Sequence, residues 1–332
     1  MSAFKLRIVF ASLIAATLAL MLLDIAIGAV DIPMSDVWKS LTGGNVVDPS
    51  TSLIVRHIRL IKATVALLCG MALSVSGLQM QTLFRNPLAG PYVLGISSGA
   101  SLGVAIMLLG SAWLGISSPL GIVTAAWIGA ASVLLAISAV STRIKDIMVL
   151  LILGIMLSSA ISAIVQMLQY LSHEDALKSF VIWTMGSLGE VTGPQLAILA
   201  AAVSAGLLVA IATIKPLDIL LLGEQYARTM GLNLRRSRMI IILSTTLLAG
   251  TVTAFCGPIG FIGLAMPHVA RAITRRADHR VLLPASALVG AIVLIGCDLV
   301  SKLLVLPINS ITALVGIPVV IWVVLSNKSF SA

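Results

Sequence analysis

Long apolar runs of about 20 residues alternate along the whole chain with short segments that hold most of the charged residues. A run of this length lets an α-helix cross a hydrocarbon core of about 30 Å. The pattern predicts an all-α polytopic membrane protein whose residues 1–332 form a single transmembrane domain. We expect about ten spanning helices, at residues 7–30, 58–83, 93–110, 119–140, 147–170, 192–213, 237–256, 259–274, 282–301 and 310–326.

Composition and charge support this prediction and give the chain an orientation. Of the 332 residues, 59% are hydrophobic and only 10% are charged, which is too few to cover a soluble protein of this size. With the N-terminus in the cytoplasm, fifteen of the 21 lysines and arginines, among them Arg143, Lys145 and Lys328, fall on the cytoplasmic side. The positive-inside rule favours this orientation, in which both termini are cytoplasmic.

One cytoplasmic connection, KPLDILLLGEQYARTMGLNLRRSR at residues 215–238, is too long for a simple turn. Its apolar residues Leu220, Leu221, Ala227 and Met230 suit a short helix that lies on the membrane surface or packs against a partner. A loop that packs against nothing would not require these apolar residues. We therefore expect this segment to be a coupling element.

The segment RNPLAGPYVLGISSGASLG, residues 85–103, combines helix breakers with regularly spaced glycines. The residue before Pro87 is biased away from helical geometry, so the second span is expected to end there. Gly95, Gly99 and Gly103 recur every fourth residue and share one face of the next helix. In lipid such a face lets another helix backbone approach closely. Simple helix packing and a place beside the transport pathway are both open interpretations.

A second broken element is CGPIGFIGLAMPHVAR at residues 256–271. Gly257, Pro258 and Gly260 interrupt the helix at membrane depth, where irregular backbone is tolerated only within protein or beside a water-filled cavity. The break is expected to line a pathway or act as a hinge. A kink with no further role is the alternative, since prolines are common in spanning helices.

The spans hold few ionisable residues. Asp298 and Lys302 are spaced four apart and favour a helical ion pair, while Asp24 has no evident partner. The chain lacks the GxxxxGK[ST] loop that binds nucleotide phosphates, and an ion-coupled carrier usually places charged or polar groups near the midplane. We expect no catalytic residue, no metal ligand and no cofactor on this chain, and an energy supply from a cytoplasmic partner.

Several stretches together resemble the permease subunits of bacterial ABC importers for iron–siderophore complexes, haem and vitamin B12. They are SGLQMQTLFRNPLAGPYVLGISSGASLG, LLLGEQYARTMGL, GPIGFIGLAMPHVAR, DHRVLLPASALVGA and LPINSITALVGIPVVIW, in the family's order. The resemblance implies the BtuC-like ten-helix fold in the bacterial inner membrane. It also implies a second permease copy, two cytoplasmic subunits that bind ATP and Mg²⁺, and a periplasmic or lipid-anchored substrate-binding protein.

The resemblance assigns roles to two sets of residues. The residues implied to contact the ATPase are Gly223, Glu224, Ala227 and Gly231. At the outer mouth, Arg56, Arg59 and Lys62 are implied to meet carboxylates of the binding protein. Their i, i+3, i+6 spacing places them along one side of a helix end; anchoring at the membrane interface is the alternative.

The chain departs from the family's pattern at two places near the outer side. It has Arg-Leu-Ile-Lys at residues 59–62 where the family usually has Arg-Leu-Pro-Arg, and Val305 where a glutamate is usual. A lysine is a point charge and pairs less directionally than an arginine fork.

These observations predict a transport subunit that is not itself an enzyme. We expect ATP-driven import of an iron chelate, a siderophore complex or haem, with cobalamin as the alternative cargo. Two alternatives of other classes remain, a secondary transporter driven by an ion gradient and a membrane scaffold or receptor that does not transport.

Overall fold

The computed structural model describes residues 3–28, 30–44, 49–110, 119–141, 144 and 146–326. Arg143, Lys145 and Lys328, counted above as cytoplasmic cations, and residue 29 of the first predicted span lie outside these residues. All regular structure in the described part is helical. The helices are α1 (Ala3–Ala26), α2 (Met34–Thr42), α3 (Pro49–Leu83), α4 (Ile96–Leu109), α5 (Pro119–Ser141), α6 (Ile147–Leu171), α7 (Glu174–Thr184), α8 (Gly193–Ala212), α9 (Ile214–Leu221), α10 (Glu224–Thr229), α11 (Leu234–Cys256), α12 (Ile262–Thr274), α13 (His279–Leu304) and α14 (Ile308–Ser326).

Each of the ten predicted spans coincides with a helix. Among the described residues eight helices are long and apolar enough to cross a membrane: α1, α3, α5, α6, α8, α11, α13 and α14. The other two, α4 and α12, have 14 and 13 residues and reach roughly 20 Å, less than the hydrocarbon core. Both follow the glycine- and proline-rich breaks that the sequence indicates, so non-helical backbone extends them.

The centre of the fold is the pair α3 and α13, which pack against each other through glycine. A Cβ atom added at Gly70 would lie 2.4 Å from the carbonyl oxygen of Gly290, and one added at Gly290 would lie 2.2 Å from that of Gly70. A similar approach joins α3 to α12, where a Cβ at Gly77 would lie 1.7 Å from the carbonyl oxygen of Gly263. Van der Waals packing between close backbones is what holds helices together in lipid.

A buried amide joins α3 to the end of α8 and the middle of α11. The side-chain nitrogen of Gln79 lies 3.1 Å from the hydroxyls of both Thr213 and Ser244, and its oxygen accepts a hydrogen bond of 3.1 Å from Thr245. A buried polar group is stable only when its partners are all present. This network therefore fixes the register of three helices that are otherwise joined by apolar contacts.

Candidate functional site

A buried charge network ties three helices together near one end of the bundle, on the predicted outer side. Lys302 of α13 lies 2.7 Å from Asp24 of α1 and 2.9 Å from Asp298, and Asp298 also lies 3.0 Å from Lys62 of α3. The two aspartates are 0% and 1% exposed. The predicted Asp298–Lys302 pair is confirmed. The expectation that Asp24 has no partner is wrong, because its partner comes from a helix distant in sequence.

The two outer arginines have intramolecular partners. The guanidinium of Arg59 is buried and donates hydrogen bonds to the carbonyls of Ile25 (3.1 Å), Ala26 (2.6 Å) and Val30, so that it caps the end of α1. Arg56 is exposed and donates to the carbonyl of Ser40 near the end of α2. Both carbonyl sets lie near helix C-termini, where a cation is favourable.

The expectation that Arg56, Arg59 and Lys62 line one side of a helix end is wrong. The helix contains a wide π turn at Ile54–Arg59, which changes the angular spacing that an α-helix would give. Arg56 therefore faces outward, whereas Arg59 faces α1 and Lys62 reaches α13. The docking role of the three residues stays a prediction.

The three evenly spaced glycines lie against two different helices. Gly95 has φ 80° and directly precedes α4, and a Cβ there would lie 2.8 Å from the hydroxyl oxygen of Ser158 in α6. Gly99 and Gly103 face α5: a Cβ at Gly103 would lie 2.0 Å from the carbonyl oxygen of Ala125. α4 and α5 thus approach backbone to backbone, at a distance that no larger residue permits.

The second broken segment, Gly257 to Phe261, joins α11 to α12 inside the protein. The Gly260 amide donates a 3.0 Å hydrogen bond to the side chain of Asn309 in α14. A Cβ at Gly257, which has φ 74°, would lie 2.4 Å from the carbonyl oxygen of Trp183, so only glycine fits. Protein atoms therefore meet the polar groups of this break, as irregular backbone at membrane depth requires.

The two broken segments contact each other. The Tyr92 hydroxyl lies 3.3 Å from the hydroxyl of Thr253 and 3.4 Å from the amide of Ile259, which follows Pro258. Toward the other end of α12, the His268 ring lies 2.8 Å from the carbonyl oxygen of Pro87. The breaks that the sequence marks at 85–95 and 257–261 therefore contact each other and form one joint.

A stripe of uncharged polar side chains runs along an exposed or half-buried face of α6. The polar stripe consists of Ser158, Ser159, Ser162, Gln166 and Gln169. These residues line two cavities of about 460 and 260 Å³ that share Ser162 and Gln166, and serines in the first two turns of α4 line the smaller one. Polar residues within spanning helices face protein or water rather than lipid. Ser158 and Ser159 donate hydrogen bonds to carbonyls one turn earlier in α6, so the exposed Ser162 and Gln166 are what favour a polar surrounding for this face.

The predicted coupling segment forms two short helices, α9 and α10, separated by Gly223 with φ 102°. Glu224 pairs with Arg238 in the first turns of α11, and Ala227 is the buried residue of α10. Gly231 follows α10 with φ 80°, and an added Cβ there would have nothing within 4 Å. Glycine is therefore favoured at this position by the backbone conformation and not by a lack of space. The sequence-predicted residues are thus brought together in one compact unit.

The surface of this coupling unit carries several exposed apolar side chains. The Tyr226 side chain is 68% exposed, and Leu222 and Met230 are 58% and 59% exposed. Clustered exposed apolar residues with a polar surround mark interaction sites. This surface has the composition of a protein interface, which agrees with a partner that contacts the segment.

A second tie links the coupling unit to the bundle. The Asp218 carboxylate of α9 accepts hydrogen bonds from the backbone amide of His279 (2.9 Å), and it lies 2.7 Å from the Nδ1 atom of the same residue. The Nε2 atom lies 2.9 Å from the Thr82 hydroxyl in α3. The imidazole is almost completely buried, so this hydroxyl–imidazole–carboxylate line has a structural role and offers no surface to a substrate.

Comparison with known proteins places the chain in a family. The profile of the FecCD transport family matches residues 16–326. The chain belongs to the FecCD transport family. It is 34% identical to the hemin transport system permease protein HmuU of Yersinia pestis over 91% of this chain and 90% of HmuU. It is 38% identical to the vitamin B12 import system permease protein BtuC of Shigella boydii over 88% of this chain and 89% of that protein.

Solved structures agree with the family assignment. A metal-chelate type ABC transporter in an inward-facing conformation superposes with a TM-score of 0.85 at 28% identity, over 97% of this chain and 99% of that one. PsaBC of Streptococcus pneumoniae, at 17% identity and a TM-score of 0.60, shares the fold alone. This FecCD protein is therefore a membrane-spanning permease of the ABC importer type.

Sequence reasoning missed three features of this FecCD permease. The polar stripe has Ser158, Ser162, Gln166 and Gln169 at helical spacing, but it holds no charge that would mark it in the sequence. Asp218 and His279 carry no motif of catalysis or metal binding, and only their contact indicates their role. The partner of Asp24 is 278 residues away in the chain, beyond any spacing argument.

Proposed function

We propose that this FecCD permease is half of the transmembrane unit of an ATP-driven importer in a bacterial inner membrane. Its residues 1–332 act as one domain with both termini in the cytoplasm, and two copies enclose the pathway. Two partner subunits bind ATP and Mg²⁺ beneath the membrane, and a substrate-binding protein delivers the cargo from outside. The proposed cargo is an iron chelate, haem or a siderophore complex.

The polar stripe on α6 carries this proposal. On a 25-residue helix that is apolar enough to span the membrane, exposing serine and glutamine side chains to lipid is energetically unfavourable. A second copy facing the stripe converts it into a path lined by hydroxyls and amides. Such a path has no fixed charge to trap the cargo, which suits a large chelate that must be released on the other side.

The coupling unit supports an external energy source. Its exposed Leu222, Tyr226 and Met230 supply an apolar surface for an ATPase subunit, and Gly223 and Gly231 give the unit its shape. The Glu224–Arg238 pair and the Asp218–His279 contact connect it to α11 and α13. Rigid-body movement of the ATPase is thereby transmitted to two spanning helices, and the joint between the two broken segments is the proposed hinge.

The proposed docking face for the binding protein lies at the outer end of α3 and on α2. Arg56 is exposed there and contacts α2, in which the Trp38 side chain is 61% exposed. Arg59 and Lys62 contribute to this face indirectly, because their charges hold α1 and α13 in place next to α3. Aromatic and arginine side chains are enriched in protein interfaces, which favours this face for docking.

The relatives support a large metal-containing cargo and name two kinds. HmuU is a hemin permease and BtuC is a vitamin B12 permease, and this chain is about as similar to one as to the other. Cobalamin is the second candidate, since this chain is 35–38% identical to the BtuC proteins. A gradient-driven carrier is the candidate of another class.

The test is uptake into liposomes that hold this chain, its ATPase subunits and the cognate binding protein, loaded in turn with hemin, a ferric siderophore or cobalamin. We expect one loaded form to stimulate ATP hydrolysis and its cargo to accumulate. Ser162→Leu narrows the polar stripe and should reduce uptake strongly. Ser204→Leu makes the same change on an exposed position of α8 outside the stripe and should not. Equal uptake by the two variants would contradict the pathway assignment.

A further inference from the structure

An open groove lies between α5 and the first half of α11. It has a volume of about 710 Å³, within the range of ligand sites, and its walls are apolar. The lining includes Leu134, Leu135, Met239, Ile240 and Leu243. Toward the other end of the same seam α5 packs closely on α11, with the Trp127 and Phe255 rings 5.8 Å apart edge to face. The groove is therefore the place where the two helices diverge.

The depth of the groove matches one leaflet of a bilayer. Its lining on α11 runs from Asn233 to Leu243, which at the rise of an α-helix is roughly 15 Å, about half of the hydrocarbon core. A second cavity of about 240 Å³ shares Leu134 and Leu243 and continues the seam toward the membrane centre. An apolar channel of this length that is open along one side fits an acyl chain.

The mouth of the groove is positively charged. Arg235 and Arg236 are exposed and line it, and Asn233 accepts a hydrogen bond from the amide of Arg236. Among the described residues no carboxylate lies within ion-pair distance of either guanidinium, since Glu224 is paired with Arg238 instead. Arginines also form bidentate hydrogen bonds with phosphate. A phosphodiester placed here would be held by the guanidinium groups of Arg235 and Arg236.

We propose that this groove binds an anionic phospholipid of the cytoplasmic leaflet, with its phosphate at Arg235 and Arg236 and one acyl chain between α5 and α11. Apolar walls and a basic mouth together complement this one class of molecule. The cytoplasmic placement follows the orientation in the proposed function. So does the choice of lipid over a second permease copy, because the polar stripe on α6 is the face assigned to that copy.

The test is native mass spectrometry of the permease purified with its ATPase subunits, titrated with phosphatidylglycerol or with phosphatidylcholine of the same acyl chains. We expect phosphatidylglycerol to bind preferentially. Arg235→Gln/Arg236→Gln should weaken that binding by roughly 30-fold, since each cation near a membrane surface favours an anionic lipid by about fivefold. Arg275→Gln/Arg280→Gln removes the same charge from another exposed cytoplasmic segment and should change binding little.

A groove-filling variant separates a built site from a basic surface. Leu134→Trp leaves both arginines in place but occupies the acyl channel, so it too should weaken phosphatidylglycerol binding, with the unfolding temperature as a check on folding. Unchanged binding by Leu134→Trp, or equal losses in the two arginine pairs, would overturn the proposal. Binding by the isolated chain that disappears in the complex would assign the groove to the ATPase interface. None of these readouts depends on transport, so failure here leaves the importer assignment intact.

Discussion

Replacing Lys302 with methionine removes the cation that joins Asp24 to Asp298 while keeping an apolar side chain of similar length. Lys302 lies 2.7 Å and 2.9 Å from the two carboxylates, and at an effective dielectric constant of about 20 each attraction is roughly 6 kcal/mol before desolvation. Much of this is offset by the burial of the charges. Removing one partner from a buried ion pair costs about 3–5 kcal/mol. We expect a loss of that size in the free energy of unfolding.

The measurement is unfolding in mixed detergent micelles, compared with Lys39→Met. Lys39 pairs with Asp36 at 3.4 Å on the surface, and its loss should cost no more than about 1 kcal/mol. The double variant Asp24→Leu/Lys302→Met leaves the neutral Asp298–Lys62 pair and should recover much of the lost stability, because an apolar replacement of a buried pair is often neutral. If Lys302→Met is no more destabilising than Lys39→Met, the network is solvated and the reasoning is wrong.

Three further predictions concern the core and the coupling unit. Gly77→Ala should destabilise the fold or prevent its expression, because its Cβ meets backbone at 1.7 Å, whereas Gly296→Ala, with nothing within 4 Å, should be tolerated; equal melting temperatures would contradict this. Gln79→Leu should lower the free energy of unfolding, measured in the same micelles, by about 1–3 kcal/mol, because three buried hydroxyls lose their shared partner. An unchanged free energy of unfolding would mean that water replaces the amide. Glu224→Gln should reduce cargo-stimulated ATP hydrolysis without changing the unfolding of the spanning helices, and the same change at the exposed Glu190 is the control. Normal stimulation in the Glu224→Gln variant would exclude the Glu224–Arg238 pair from coupling.

The helix positions were predictable because run length and helix breakers are local properties of a sequence. Asp298 and Lys302 were predictable for the same reason, since both lie on one helix. The position of Arg56 relative to Arg59 and Lys62 was not, because a π turn at Ile54–Arg59 alters the spacing that places side chains on a helix face. A sequence-based face assignment holds only while the backbone keeps 3.6 residues per turn.

Contacts between distant segments lay beyond the sequence pattern. Tyr92 and Ile259 each belong to a segment that the sequence marks as broken, yet only the fold brings the two breaks together. The residues of the polar stripe had helical spacing, but an uncharged stripe differs little from ordinary serine-rich packing. Its exposure on the surface of a spanning helix is what distinguishes it, and exposure is a property of the fold.

The most direct test of the importer assignment is the energy source for uptake. Liposomes holding the permease, its ATPase subunits and loaded binding protein are supplied with ATP on the ATPase side, once with ionophores that collapse all ion gradients and once without. The account predicts uptake that persists with ionophores and stops when ATP is withheld. Uptake that survives without ATP but ceases when the gradients collapse would contradict it and identify a secondary transporter instead.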